Sequence, residues 1–349
     1  MIVVAKPGLL ASVQDLGRHG HRQRGICPGG ALDALALALG NRLVGNPEDA
    51  AGLELTMGGC TLRFETATRI ALVGGDFGAR LDGVPLFPNW SVPVAAGQTL
   101  VLSGAAADGR SLRTWLAVAG GIDVPPVLGS RSTDLKAGFG GLQGRALKKG
   151  DRLPLGATTL DAARLGRRPF GLHGPSWAFD SMPDDLGEAI ALRVMPGPEF
   201  HQFTPGSQAA WFSAPWRITP QSNRMGSRLE AVEEGVALER TQKVDMLSSG
   251  VIPGTVQVPP SGQPIILMGD AQTTGGYPRI GVVIRADLWK LAQAPLGGRL
   301  RMVRVDTTAA LAAWDAQQRY LAQVMQGLEV AGWPISATPA VSAVSSNLS

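Results

Sequence analysis

Glycine sets the first limit on what this chain can fold into. It supplies 46 of the 349 residues, nearly twice the usual share of about 7%, and 25 prolines are scattered among them. Between these punctuation points run short Val/Ile/Leu-rich stretches. "TLRFETATRIALVGG" (61–75) alternates and closes on glycines, while "VPVAAGQTLVLSG" (92–104) and "GRALKKGDRLPLG" (144–156) each read as strand, Gly-centred turn, strand. "LRTWLAVA" (112–119) and the segment 255–284 continue the pattern. Strands this close together leave no room for crossover helices, so the expected class is mainly β, built as antiparallel barrels or sandwiches.

Three helices are expected. Leu32, Leu35, Leu39 and Leu43 share one face ending at Gly45. Asn46 is placed to cap a short second helix, with Pro47 at its first position. A third runs from about 307 to 328 behind Asp306, with Leu311, Trp314, Leu321, Met325 and Leu328 on one side. A chain of this length exceeds one core, and the Pro/Gly-rich stretch 154–190 is the expected boundary. The division is a first lobe over 1–165, a second over 166–335 carrying the long helix, and a flexible tail over 336–349.

Composition removes several function classes. A sequence pI near 9.4 suggests nucleic acid, yet the 32 basic residues form no run longer than two and aromatics are only 5%, so no basic stripe or stacking platform is expected. No apolar run reaches the roughly 18 residues of a membrane helix. The start "MIVVA" reads as a strand and not as a leader, so a cytoplasmic protein is expected. Cys27 and Cys60 are too few for a disulfide framework and have no zinc spacing. GxxxxGK[ST], HExxH and GxSxG are all absent.

Two stretches concentrate polar groups. In "ASVQDLGRHGHRQRGICPGGALDAL" (11–35), Gln14 and Asp15 end an apolar run, and Arg18, His19, His21, Arg22 and Arg24 crowd a glycine-rich loop that leads to a helix start near Ala31. Cations and backbone N–H groups facing one concavity would hold a carboxylate, phosphate or carbamate, with Asp15 and Asp33 orienting them. The alternative is a solvated basic turn. Downstream, "SNRMGSRLE" (222–230) carries Arg224 and Arg228, Gln257 sits within a strand, and "MGDAQTTGGYPRIG" (268–281) brings Asp270, Gln272, Thr273 and Tyr277 to a strand end. These groups suit a small polar ligand; the alternative is a polar hairpin whose side chains satisfy their own turns.

Seven motifs in order, among them "SVQDLGRHGHRQRGICPGGALD", "GNRLVGNPEDAAGLELTMGG", "WLAVAGGIDVPPVLGSRSTD", "NRMGSRL" and "SGVIPGTVQVPPSGQPIILMGDAQTTGGYPRIGVV", resemble the biotin-dependent carboxyltransferase, or allophanate hydrolase subunit 2, family. The family includes KipA-type proteins, the C subunit of bacterial ATP-dependent 5-oxoprolinase, and the carboxyltransferase region of urea carboxylase. Departures from the family pattern include Cys27 and Leu32 in the first motif and Glu230 after "RL".

The resemblance implies two cyclophilin-like β-barrel lobes with a few helices. It implies a chain that opens 5-oxoproline to glutamate together with a KipI-like B subunit and a LamB/YcsF-like A subunit, with ATP consumed by the complex. The alternatives are half of a biotin-dependent urea or amide carboxylase, where biotin enters, or a non-catalytic KipA-type antagonist of a KipI-like kinase inhibitor. On that basis Asp15, Arg18 and Asp270 are the expected catalytic residues. Gln14, His19, Asp33, Arg224, Arg228, Gln257, Gln272, Thr273 and Tyr277 are expected to bind a small amide or lactam. Metal, nucleic acid and membrane are not expected.

Overall fold

The computed structural model describes residues 1–104, 111–175, 189–242 and 246–334. The expected tail, 336–349, and residues 176–188 of the expected boundary lie outside the described residues. The chain is mainly β, with five α-helices among the described residues: α1 (Ala34–Leu43), α2 (Ala162–Leu165), α3 (Pro205–Ser213), α4 (Leu288–Gln293) and α5 (Thr307–Val330).

Two six-stranded sheets form the N-terminal part. One runs in the order Arg152–Leu153, Ile2–Pro7, Cys60–Phe64, Thr99–Val101, Arg80–Leu81, Val84–Pro85. The other runs Phe170–Gly171, Trp90–Val94, Thr68–Gly74, Arg113–Val118, Gly52–Thr56, Leu10–Gln14. Alternation decides what each face meets. From strand Arg113–Val118, Leu116 and Val118 enter the core between the sheets with Ile70, Leu72 and Phe64. Trp115 and Ala117 point the other way, into a layer formed with Leu35, Leu39 and Leu43 of α1. That strand is buried on both faces, which is why its sequence reads as apolar throughout.

The C-terminal part is a closed barrel of seven strands, Ile190–Pro196, Arg279–Val283, Thr255–Gln257, Ile265–Leu267, Gly226–Ala231, Trp216–Ile218 and Arg299–Arg304. A parallel pairing of the first and last strands completes it, with Ile190 opposite Leu300. Trp211 of α3 and Trp216 fill it beside Leu192, Val256 and Ile280. Helix α5 links both parts. Ala313 packs on Ile284 and Ala286, while Tyr320 and Leu321 pack on the α1 layer with Trp333. No helix among the described residues is long and apolar enough to cross a membrane.

Local expectations fare unevenly. Helix α1 starts at Ala34 behind Asp33, whose carboxylate accepts from Ala36 N, and Gly45 follows at φ +71°. Leu32 lies before that cap and fills the barrel core. The expected helix after Asn46 is only a turn closed by Ala50 N to Pro47 O. The Asn46 amide donates instead to Val118 O and accepts from Gly120 N, both at 2.8 Å, and is unavailable as a cap. Helix α5 begins behind Asp306 as expected, but its buried side holds Ala313, Gln317, Tyr320 and Leu321, and Leu311 is exposed. In 144–156 only Arg152–Leu153 forms a strand.

Candidate active site

The loop after strand Leu10–Gln14 is built around Asp15. Its Oδ1 accepts from Gly17 N at 2.7 Å and from the hydroxyls of Ser130 and Ser132 at 2.6 and 2.5 Å, and its Oδ2 accepts from Arg131 N at 2.5 Å. A carboxylate so fully engaged fixes the loop against segment 130–134. Gln14 serves the same junction, donating to Ser12 Oγ and Thr133 O.

Arg18 follows from this anchoring. It is fully buried, its Nη2 donates to Ser132 O, and its guanidinium lies 4.7 Å over the Phe139 ring. Its Nε and Nη1 have no hydrogen-bond partner among the described residues. A buried guanidinium with two idle N–H groups is costly, and it stands where the loop meets the barrel. There Gly29 N donates to Gly269 O at 3.1 Å, and Arg22 donates to Val251 O.

Asp270 enters from the barrel side. Arg224 holds it by Nε to Oδ2 at 2.8 Å and Nη2 to Oδ1 at 3.0 Å, and also donates to Gly30 O at 2.6 Å and to Glu54. Burial pulls the Arg224 guanidinium down, but Glu54 and Asp270 outweigh it and raise it above the usual arginine range. Burial, with Glu54 and Asp134 nearby, pushes the Asp270 carboxyl up against the pull of Arg224. A Cβ placed on Gly29 would stand 3.3 Å from Arg18 Nη1 and 3.8 Å from Asp270 Oδ1. The glycine loop and the strand end therefore face one another across this glycine.

Behind it the network continues. Glu54 accepts from Leu32 N at 2.7 Å and pairs with Arg113 at 3.6 Å, while Arg113 donates to Ala292 O. Asp33 caps α1 with Oδ1 and accepts from Gln293 of α4 with Oδ2 at 2.7 Å. Burial raises its pKa to about 6. The start of α1 is thus satisfied by its own cap, at Ala34 and not near Ala31, and offers no free anion site.

The remaining candidates are bonded to other groups or to none among the described residues. His19 is exposed and contacts Leu16 O, and Arg228 is exposed with no side-chain hydrogen bond or ion pair among the described residues. Gln257 is buried, donating to Tyr277 O at 3.4 Å and meeting Gln272 at 3.5 Å. Thr273 accepts from Val251 N through its carbonyl, and the Tyr277 ring is half exposed. No hydrogen bond among the described residues joins these four to Arg18 or Asp270.

Glu54, Arg113, Ser130, Ser132, Asp134, Phe139 and Gln293 complete the network and are not among the sequence candidates. Two signals were available: an acid inside the apolar strand "GLELT", which demands a buried cation, and the dense run "SRSTD". Cys27 also borders the site. Its thiol donates to Asp134 Oδ2 at 3.3 Å, and burial and Asp134 push it up to about 11, so it stays protonated at neutral pH.

A family profile described as carboxyltransferase domain, subdomain A and B, matches residues 24–304. The chain belongs to this family. This carboxyltransferase-domain chain is 48% identical over 324 residues to the 5-oxoprolinase C subunit of Escherichia coli, covering 93% of the chain and 97% of that protein. It is 39% identical over 314 residues to the 5-oxoprolinase C subunit of Haemophilus influenzae, covering 90% and 94%. The crystal structure of the K. lactis urea amidolyase superposes with a TM-score of 0.81 at 28% identity, covering 93% of this chain and 20% of that one. The carboxyltransferase-domain chain thus matches these two bacterial relatives over nine-tenths or more of each chain and the K. lactis enzyme over one part of a larger polypeptide. Chemically, the region holds one buried cationic donor with unused N–H groups among the described residues and one buried carboxylate acceptor.

Proposed function

We propose that the chain is the C subunit of an ATP-dependent 5-oxoprolinase that opens 5-oxoproline to glutamate with a KipI-like B subunit and a LamB/YcsF-like A subunit. The observation that carries this reading is the match along nearly the whole length of two proteins named as 5-oxoprolinase C subunits. Free Cys27 and Cys60 accord with a cytoplasmic complex.

The site suits the chemistry. Amide resonance makes the lactam oxygen basic and the N–H weakly acidic, so a lactam needs a donor on oxygen and an acceptor at nitrogen. Arg18 supplies the donor and Asp270 the acceptor. Arg224 and Glu54 hold Asp270 in place, and Asp15 acts as a positioning residue by fixing Ser132, whose carbonyl orients Arg18. ATP supplies the complex with phosphoryl transfer to an otherwise inert amide. The sequence has no GxxxxGK[ST] loop, and no group of three or more His, Cys, Asp or Glu among the described residues could hold a metal ion. No nucleotide step is assigned to this chain.

A second reading has support of its own. The chain is 32% identical over 337 residues to the Lachancea kluyveri urea amidolyase, and an amide-accepting carboxyltransferase half, served by biotin on another protein, would need the same donor and acceptor. Reconstitution with the two partner proteins separates them. Glutamate release from 5-oxoproline and ATP, requiring all three chains, is the expected result. Its absence, with carboxylation of urea on addition of a biotin carboxylase, would favour the second reading, and a tight inert complex with the KipI-like protein would favour an antagonist.

A further inference from the structure

Arg69 is a fully buried guanidinium that pairs with no carboxylate among the described residues. Its Nε and Nη2 donate to Ser91 Oγ and Ser91 O at 2.7 and 3.1 Å, and its Nη1 donates to the carbonyls of Arg164, Leu165 and Arg167 at 3.3, 3.3 and 2.8 Å. The end of α2 supplies carbonyls because a helix leaves its last C=O groups unpaired. Burial, with Arg167 nearby, pulls the Arg69 pKa down to about 10, and a cation stripped of water gains most from aromatic faces. Two are present: the guanidinium lies 4.9 Å from the centre of the Phe170 ring and 5.0 Å from that of Trp333. Every other member of this cage belongs to the N-terminal part, but Trp333 arrives just past the end of α5. Its Nε1 donates to Arg42 O at 3.1 Å in the last turn of α1, and the chain before it is held by Arg167 Nη1 to Ala331 O at 2.9 Å and Arg164 Nε to Gly332 O at 3.3 Å.

The other end of α5 belongs to the barrel, where Ala313 packs on Ile284 and Ala286 and Arg285 lies 4.2 Å over Trp314. The barrel also meets the N-terminal part at the start of α1. There Gln293 Nε2 donates to Asp33 Oδ2 at 2.7 Å, and Leu112 N donates to Gln293 O at 2.9 Å. Helix α1 has ten residues and is about 15 Å long, with Asp33 at one end and Arg42 at the other. A body held at one place rocks about it, and a second hold a helix length away resists that rocking. We propose that α5, which lies beyond the family match ending at residue 304, is a strap between the two parts, and that Trp333 seated against Arg69 is the fastening that fixes the angle of the barrel on the N-terminal sheets. Asp270 rides on the barrel and Arg18 on the N-terminal part, so the strap sets where the strand end stands against the glycine loop. Ser91, Phe170 and the three carbonyls keep Arg69 satisfied without the indole, so removing Trp333 unfastens the strap and leaves both parts folded. None of this uses the function proposed above.

The test is the separation of the two parts in the full chain. Spin labels are carried by Ala96→Cys and Glu234→Cys, exposed positions with one in each part, in a Cys27→Ser background; Cys60 is buried and stays unlabelled. Pulsed electron paramagnetic resonance reads the distribution of distances. Because linked domains move unless their interface holds them, Trp333→Ala is expected to widen that distribution by about twofold or more. Trp333→Leu, which keeps apolar bulk without the ring face or the N–H, is expected to widen it as well. Leu311→Ala, at an exposed position of the same helix, is expected to leave it as narrow as in the parent chain. A folded Trp333→Ala or Trp333→Leu chain with the parent's narrow distribution would overturn the proposal, and so would equal widening by Leu311→Ala. Loss of folded structure in both Trp333 variants, read by circular dichroism, would overturn it too, since Trp333 would then be part of the core and not a fastening.

Discussion

Arg224 grips Asp270 through two hydrogen bonds, Nε to Oδ2 at 2.8 Å and Nη2 to Oδ1 at 3.0 Å, with both side chains buried. The same guanidinium reaches Glu54 of the N-terminal part and Gly30 O in the glycine loop. One arginine therefore holds together the three segments that bound the site.

Removing it should be severe. Arg224→Met leaves Glu54 and Asp270 buried without their shared cation, a situation that costs about 3–5 kcal/mol. Urea unfolding of the purified chain measures this. A loss below about 1 kcal/mol would show that the network is not what joins the segments.

Arg18 should behave in the opposite way. Its idle Nε and Nη1 already cost the folded chain free energy, so Arg18→Met is expected to unfold at the same urea concentration as the wild type, or higher. In the assembled complex kcat/KM for 5-oxoproline should fall about a hundredfold, the scale of roughly 3 kcal/mol lost from a charge-assisted contact. A clear loss of stability with activity intact would make Arg18 a structural residue.

Asp15→Asn separates positioning from proton transfer. It replaces one acceptor with a donor where the carboxylate meets two hydroxyls and two backbone N–H groups, and is expected to cost about 1–3 kcal/mol of stability. The pH profile of the surviving activity should keep its shape. A profile that loses its acid limb would return Asp15 to the role of base.

Asp33 carries a pH signature. Burial raises its folded pKa from 3.8 to about 6, against the hydrogen bonds from Gln293 and Ala36 and with Glu54 adding to the rise. A folded pKa above the unfolded one means that the group's contribution is fully present below about pH 4 and is lost as pH rises through about 6. Wild-type stability relative to Asp33→Asn should therefore fall between pH 4 and 7, by about 3 kcal/mol at most. Matched urea titrations across that range check it; a constant difference would contradict it.

Local chemistry was the legible part of this fold. Asp306 announces the start of α5 and Gly45 the end of α1, because caps and left-handed glycines act within a few residues, whereas the start expected near Ala31 falls at Ala34 because Asp33 is itself the cap. Asn46 misleads for a tertiary reason: its amide is spent on Val118 and Gly120, more than 70 residues away. The expected face of α5 holds at Leu321 and Leu328 and fails at exposed Leu311, because the helix divides its buried side between the barrel, through Ala313, and the α1 layer, through Tyr320 and Leu321. The site divides in the same way. Arg18, Arg224 and Asp270 stand out as charges among apolar and glycine residues, but the second acid on Arg224, Glu54, is 170 residues from it, and no spacing rule spans that distance.

On the proposed function, the glycine loop and the strand end at Asp270 form one substrate site. A crystal structure of the three-chain complex soaked with 5-oxoproline tests it most directly. The prediction is density for the lactam above Gly29, its carbonyl oxygen within hydrogen-bond reach of Arg18 Nη1 and its nitrogen within reach of Asp270 Oδ1. Density for 5-oxoproline elsewhere in the complex, with only water between Arg18 and Asp270, would contradict it.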